Sequence, residues 1–452
     1  MKIRSLIIIA SLAMVNCLAQ PAPPEWKAAA TREKITPDTM MWMAGYAGRT
    51  KPADGVTLDL YAKAIVIEDK QQTRLAIITL DLIGVPKSMR ENLASTLEKQ
   101  HGIKPASLLI NASHTHSGPE LRASRTDATD EPARRAEEAA AYTTKLEARL
   151  TAMVGDCIAR LQPAHLHYSF ARCGFAMNRR TPSPDGKSFS NHPYPQGPVD
   201  HQVPVLRATD MSGKELALAF GYACHCTTLG LQQFNADYAG YAQQAIEAAH
   251  PSAVALFVNG CSGDQNPYPR GKVDMAETHG RSLASAVDAA LATNLQPLTG
   301  SVRTAYEEIP LSYSRTPTAE ELGERQKSPN KLDSSHAGRL LGVLRSRGSL
   351  AKDYPYPVQV LRLGDQLTMV TLGGEVVVDY SLRLKREIKD ANVWVAGYSN
   401  DVMTYIPSLR VLKEGGYEAG DAMKWGTHPA PWSEQVEEHI VSTVHRLRKT
   451  LE

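Results

Sequence analysis

Short apolar runs alternate with amphipathic stretches along almost the entire chain, and this restricts the fold more than any single motif. Runs of strand length that are apolar throughout read as strands buried on both faces, and the amphipathic stretches between them as helices laid on a sheet. The expected class is therefore α/β, with a large mixed β-sheet core flanked by helices. Strands are expected at Ala64–Glu68, Leu75–Leu82, Leu108–Ser113, His165–Phe175, Val203–Ala208, Leu216–Ala223, Val254–Asn259, Val358–Leu363, Leu367–Leu372 and Val393–Gly397. Helices are expected at Lys87–Gln100, Ala133–Leu161, Tyr238–Ala249, Met275–Ala292, Val377–Ile388 and Trp432–Arg448.

Asp237 is suited to cap the helix that follows it, and Thr318 with Glu321 forms a capping-box pattern for a short helix near Ala319. The polar stretch from Tyr313 to Tyr354 reads as a surface excursion, either an inert insertion or a cover for a site, with the inert insertion the simpler reading. No internal repeat or interdomain linker is evident. The chain therefore reads as one domain over residues 20–452, behind a signal peptide over residues 1–19.

Lys plus Arg total 50 against 48 Asp plus Glu, so the chain lacks the basic excess that a nucleic-acid surface needs, and no nucleic-acid partner is expected. Met1-Lys2-Ile3-Arg4 followed by the apolar stretch from Ser5 to Val15 has the pattern of a secretory signal, with cleavage expected after Ala19. Lipid attachment at Cys17 is disfavoured by the preceding Asn16. With no later run long enough to span a bilayer, the mature protein is expected in the periplasm or outside the cell, without a transmembrane segment. Five cysteines would then remain, Cys157, Cys173, Cys224, Cys226 and Cys261, an odd number that gives no dense disulfide framework. Cys224 and Cys226 read as small buried residues. No feature specifies an oligomeric state.

Chemistry concentrates where the apolar runs end. His114 and His116 follow Leu108-Leu109-Ile110-Asn111, and residues two apart on an extended backbone point to the same side. His225 follows the run that ends at Ala223, Glu375 follows Leu372-Gly373-Gly374, and Tyr405 follows another strand by a short loop. Two histidines, a carboxylate and a weaker oxygen donor would suit Zn²⁺ with a position left for water, as in a hydrolytic site. Singly, each has a plainer reading, as a core histidine, a helix N-terminal charge or a packed aromatic.

At these residues the sequence resembles the neutral, non-lysosomal ceramidases. The resemblance runs from Lys34-Ile35-Thr36-Pro37 and Met43-Ala44-Gly45-Tyr46 through Asp81 to Ser113-His114-Thr115-His116-Ser117-Gly118-Pro119. It continues through Asn178-Arg179, Ala223-Cys224-His225, Asn235-Ala236-Asp237, Gly263-Asp264 and Gly374-Glu375 to Tyr405 and Tyr417. It implies a zinc-dependent amidase with metal ligands His114, His225, Glu375 and Tyr405. His116, Arg179 and Tyr417 would line the reacting amide, and Asp264 would orient or deprotonate the attacking water.

Three departures bear on the substrate. The family's ceramidases carry a serine where this chain has Asn266, and a carboxamide cannot act as a hydroxyl nucleophile. Glu120-Leu121 replaces the glycine pair usual after Ser-Gly-Pro, and the C-terminal β-sandwich of typical ceramidases is not expected in a chain of this length. The resemblance thus implies an exported hydrolase cleaving an N-acyl amide, in a ceramide-like lipid or another N-acyl compound, with water activated at zinc. Deacetylation of N-acetylated sugars, an esterase or lactonase activity, and a silent zinc-pocket binding protein stand as alternatives.

Overall fold

The computed structural model describes residues 25–122, 132–293 and 295–452. The expected signal segment and Cys17 lie outside the described residues. The largest sheet runs in the order β10 (Val254–Asn259), β9 (Glu215–Tyr222), β8 (Gln202–Asp210), β5 (Gln162–Arg172), β1 (Trp26–Lys34), β2 (Tyr61–Asp69), β3 (Arg74–Leu80), β4 (Leu108–Ala112), with β12 (Gln296–Leu298) also on β5. It is mixed, since β9/β10 and β3/β4 pair parallel and the others antiparallel. A second sheet has the order β13 (Val302–Ser312), β14 (Asp353–Leu363), β15 (Leu367–Leu372), β17 (Val393–Ala396). Two small sheets complete the set: β11 (Gln265–Pro267), β6 (Ala176–Pro182), β7 (Phe189–Tyr194), and β16 (Glu375–Val376) with β18 (Tyr405–Ile406).

Strand alternation explains the layering. On β2, Ala62, Ala64 and Val66 pack against α1 (Lys87–His101) and α2 (Pro132–Ala159), whereas Ile65 and Ile67 face the other way. On β9 and β10, Leu218, Phe220, Ala255 and Phe257 pack with α3 (Asp237–Ala249) and α4 (Val273–Leu291). The opposite residues, among them Ala219, Leu256 and Val258, join Leu361, Met369 and Trp394 of the second sheet in one cluster. The second sheet's far side packs on α7 (Val378–Glu387) and α9 (Val436–Lys449). The order is helices, sheet, sheet, helices. The expected α/β class with a large mixed sheet flanked by helices is what forms, and the second sheet stacked on the first adds to it.

The expected strands and helices form, with ends shifted by a few residues. The stretch from Tyr313 to Tyr354 carries the expected short helix, α5 (Ala319–Arg325), opened by the Thr318–Glu321 capping box, and in addition α6 (Lys331–Arg347), which was not expected, with α8 (Leu409–Glu414) following later in the chain. Asp237 does not cap α3. The cap position is Ala236, and the Asp237 carboxylate instead accepts from the amides of Thr228 (3.2 Å) and Leu229 (2.9 Å). All five cysteines are free and buried. Among the described residues, no helix is long and apolar enough to cross a membrane.

The outer strands β4 and β10 of the large sheet also meet, through side chains rather than a ladder. Asn259 N donates to Asn111 Oδ1 (2.8 Å), Asn111 Nδ2 to the Gly397 carbonyl (2.8 Å), and Asn259 Nδ2 to the Ser113 carbonyl (3.1 Å). This carboxamide seam joins both edges of one sheet to the loop after β17. The C-terminal ends of β4, β9, β15 and β17 are thereby gathered at one place.

Candidate active site

Immediately beyond the seam the chain turns sharply. His114 has a left-handed backbone (φ 64°), a conformation a histidine adopts only when its surroundings hold it there. Its amide donates to the Leu82 carbonyl (2.9 Å) and its Nδ1 to the Ile83 carbonyl (2.6 Å), which aims Nε2 inward. His225 is held the same way, its Nδ1 on the Ser262 carbonyl (2.6 Å). Glu375 and Tyr405 come from the paired strands β16 and β18, with Gly374 at φ 73° just before. A Cβ on Gly374 would stand 2.7 Å from the Thr404 carbonyl oxygen, so the close approach of these strands requires glycine.

Five polar atoms converge. Glu375 Oε2 lies 3.1 Å from His114 Nε2 and 3.3 Å from His225 Nε2; Tyr405 OH lies 3.2 Å from His225 Nε2, and His116 Nε2 3.2 Å from His114 Nε2. The ligand nitrogens of His114, His116 and His225 all fall within 4.8 Å of one another.

This donor set fits a divalent metal. With Nδ1 of His114 and of His225 donating to a carbonyl, Nε2 of each is the nitrogen turned to Glu375 Oε2, a buried oxygen with no hydrogen-bond donor. Acceptors facing acceptors repel unless positive charge stands between them. Ligand atoms about 2.0–2.1 Å from a tetrahedral ion lie roughly 3.3–3.4 Å apart, close to the separations found here. Burial, reinforced by the nearby Arg179 cation, pushes the His225 imidazole down to about 4, so it is neutral near pH 7.

His116 differs from the other two histidines. Its Nδ1 is buried without a hydrogen-bond partner, and its ring rests on Tyr46 (4.8 Å between centroids) at a point where Gly45 leaves room. Burial, then the neighbouring imidazoles, depress it well below the ordinary histidine range. It is a neutral ring facing the same centre with no carbonyl anchor behind it.

Beneath the centre lies an ionic support. Arg179 donates to Tyr405 OH (2.9 Å), to Asn266 Oδ1 (3.2 Å) and to Glu418 Oε1 (2.8 Å), and Glu418 Oε2 also accepts from Arg180 (2.6 Å). Asn266 further accepts from Thr227 (3.3 Å) and donates to Asn191 Oδ1 (3.2 Å), so its carboxamide steadies Arg179. Asp264, the residue expected to orient or deprotonate the attacking water, is engaged at both carboxylate oxygens. It is fully buried, its carboxylate accepts from Val378 N (2.9 Å) and Asn178 Nδ2 (2.9 Å), and it lies outside the lining of the cavity above the centre. Burial raises its carboxyl to about 6.

That cavity, of about 990 Å³, has His114, His116, Glu375, Tyr405 and Tyr417 in its lining. Tyr417 is 41% exposed, and its ring meets Tyr405 edge-on at 5.4 Å. Helix α6 contributes Lys331, Leu332, Ser335 and Arg339 to the wall, so the stretch read as an inert insertion covers the site. Glu418, Trp42 and Arg135 had no signal in the sequence. Glu418 stands in a loop without periodicity, and only its succession to Tyr417 could have pointed to it.

The sequence model of the neutral/alkaline non-lysosomal ceramidases, N-terminal, matches residues 30–304. The fold is similar to the crystal structure of neutral ceramidase from Pseudomonas aeruginosa, with TM-score 0.71 at 18% identity over 95% of this chain and 75% of that one. A ceramidase complexed with C2 is similar at TM-score 0.70 and 18% identity, over 95% of this chain and 76% of that one. Comparison with curated protein sequences gives no match.

Proposed function

The chain belongs to the neutral/alkaline non-lysosomal ceramidase family, and from that premise we propose that it is an exported zinc-dependent hydrolase of a linear N-acyl amide. The family supports hydrolysis of an amide. Zinc, the residue roles and export are proposed, the last from the signal-like N-terminus. The observation that carries the reading is the convergence of His114 Nε2, His225 Nε2, Glu375 Oε2 and Tyr405 OH at separations of 3.1 to 3.3 Å.

His114, His225, Glu375 and Tyr405 would hold the ion, which when bound acts as a Lewis acid on the acyl carbonyl and on water. The chain's own groups do the rest. The acyl group enters through the cavity, and Tyr417 OH and His116 Nε2 donate to the carbonyl oxygen as negative charge develops on it. Arg179 donates to Tyr405 OH and keeps positive charge beneath the centre. Water adds its oxygen to the acyl carbon, the carbon–nitrogen bond breaks, and both protons of the water end on nitrogen, giving a carboxylate and an ammonium. Asn266 offers no nucleophile, so water attacks directly.

The test is metal analysis of the purified protein together with turnover of N-acyl lipids, N-acyl amino acids and N-acyl sugars. About one zinc per chain, with amide cleavage lost on chelation and regained on zinc addition, is the expected result. A protein that holds zinc and cleaves no amide or ester would be a binding protein.

A further inference from the structure

The cavity's upper wall has a charge pattern that the amide chemistry does not use. Five cationic side chains, Arg49, Arg122, Arg135, Lys331 and Arg339, share the lining with two carboxylates, Glu120 and Glu375, in a chain whose overall net charge is only +2. Arg122 is satisfied by Glu120 at 2.9 and 3.3 Å. Arg135 is not. It is 8% exposed, its guanidinium lies 3.9 Å over the Trp42 ring and its Nε has no hydrogen-bond partner; Glu120 and Glu138 act on it from beyond ion-pair contact and do not offset its burial.

Arg49 is similar. It donates to the carbonyls of Ala44 and Leu231 and lies 5.0 Å over Tyr46, with no carboxylate in ion-pair contact among the described residues. Burial with no anion to offset it pushes Arg49 down to about 10. Lys331, the exposed first residue of α6, completes the arrangement. A buried guanidinium without a counter-charge is unfavourable, and an oxyanion that pairs with its planar fork removes the penalty. Trp42 and Tyr46 hold the two guanidinium planes, so little reorganisation opposes binding.

We propose that the amide substrate carries an anionic oxygen group, a carboxylate or sulfonate, bound by Arg135 with Arg49 and Lys331, so that the substrate class is N-acyl amino acids or N-acyl sulfonates rather than uncharged ceramides. The inference deepens the amide-hydrolase reading and rests on it for the reaction, though not for the binding.

The zinc-loaded protein is given N-dodecanoylglycine, N-dodecanoyltaurine and, as the uncharged match, N-dodecanoylethanolamine; kcat/KM and equilibrium binding are both measured. Either anionic amide should exceed the ethanolamide by about 10-fold or more, a preference that shrinks at high ionic strength. Arg135→Gln should reduce the ratio of anionic to uncharged affinity by about 10-fold or more, and Arg135→Lys should restore part of it. If Arg135→Gln does not fold, the exposed Lys331→Gln and the salt dependence of the parent carry the same test. Equal or better use of the ethanolamide, or an equal loss for both ligand types in the variants, overturns the proposal. Cleavage of none of the three, with Arg135-dependent binding of the anions, would instead overturn the amidase reading and leave the anion site standing.

Discussion

Glu375 and Tyr405 are register partners in a two-residue parallel pairing, so a carboxylate and a phenol from separate segments are set side by side by backbone hydrogen bonds rather than by side-chain chance. Gly374 permits that pairing. Gly374→Ala would strain a left-handed position and drive a methyl against the Thr404 carbonyl and Ile406. We expect a loss of roughly 1–3 kcal/mol in denaturant unfolding, together with reduced zinc content. Parental zinc binding in a folded Gly374→Ala protein would contradict the role given to this pairing.

His114→Ala and His225→Ala should each lower zinc content sharply while far-ultraviolet circular dichroism stays close to the parent. Added zinc should raise the parent's Tm and have little effect on either variant's, because an ion that binds only the folded form stabilises it in proportion to its affinity. Variants that retain zinc as the parent does would remove these residues from the ligand set.

Tyr417→Phe keeps the ring against Tyr405 and removes only the hydroxyl. Zinc content should be unchanged, and kcat should fall by about 10²-fold if that hydroxyl donates to the developing oxyanion. An unaltered kcat excludes Tyr417 from the chemistry.

Strand ends were the legible part of this site. His114, His225 and Glu375 stand out because each follows a buried apolar run, and such runs are easy to read. β1 was missed because Trp26-Lys27-Ala28-Ala29-Ala30-Thr31-Arg32 has too little bulk to announce a strand, and β13 because five of its eleven residues are polar or charged. The position of Asp264 depends on which amide it meets, and its partner Val378 is remote in sequence. Helix α6 has a weak apolar stripe, Ser334-Ser335-His336-Ala337-Gly338, so neither its helicity nor its place on the cavity wall could be read from periodicity.

Glu418 joins two buried guanidiniums, Arg179 at 2.8 Å and Arg180 at 2.6 Å. Glu418→Ala would leave Arg179 without a carboxylate while Arg180 keeps Glu414 (3.1 Å), and we expect a destabilisation of about 3–5 kcal/mol by chemical denaturation. Activity should fall in the fraction that remains folded, because Tyr405 loses its fixed partner. A change below about 1 kcal/mol would mean that Arg179 and Arg180 are held by other groups.

Asp81 gives a pH test away from the metal ligands. Its buried carboxylate accepts from Tyr61 N (2.9 Å) and Gln243 Nε2 (3.2 Å), and burial raises it from 3.8 to about 6. The folded state therefore binds this proton more tightly than the unfolded one. Its contribution grows as pH falls from about 6 toward 3.8 and is absent above that window. Relative to Asp81→Asn, the parent should gain on the order of 3 kcal/mol between pH 7 and pH 4. A difference that is flat with pH, or of opposite sign, would show that Asp81 is not raised.

The carboxamide seam between Asn111 and Asn259 has a consequence for assembly. His225 and Tyr405 are 180 residues apart in the chain, and His114 comes from the far edge of the same sheet. In an unfolded chain, bringing such distant donors together requires closing long loops at a large entropic penalty, so no partial chain offers the ion a site worth occupying. Closure of the sheet's two edges must come first. An ion held there would act as a latch on a completed molecule, and its uptake would report that the whole chain has folded.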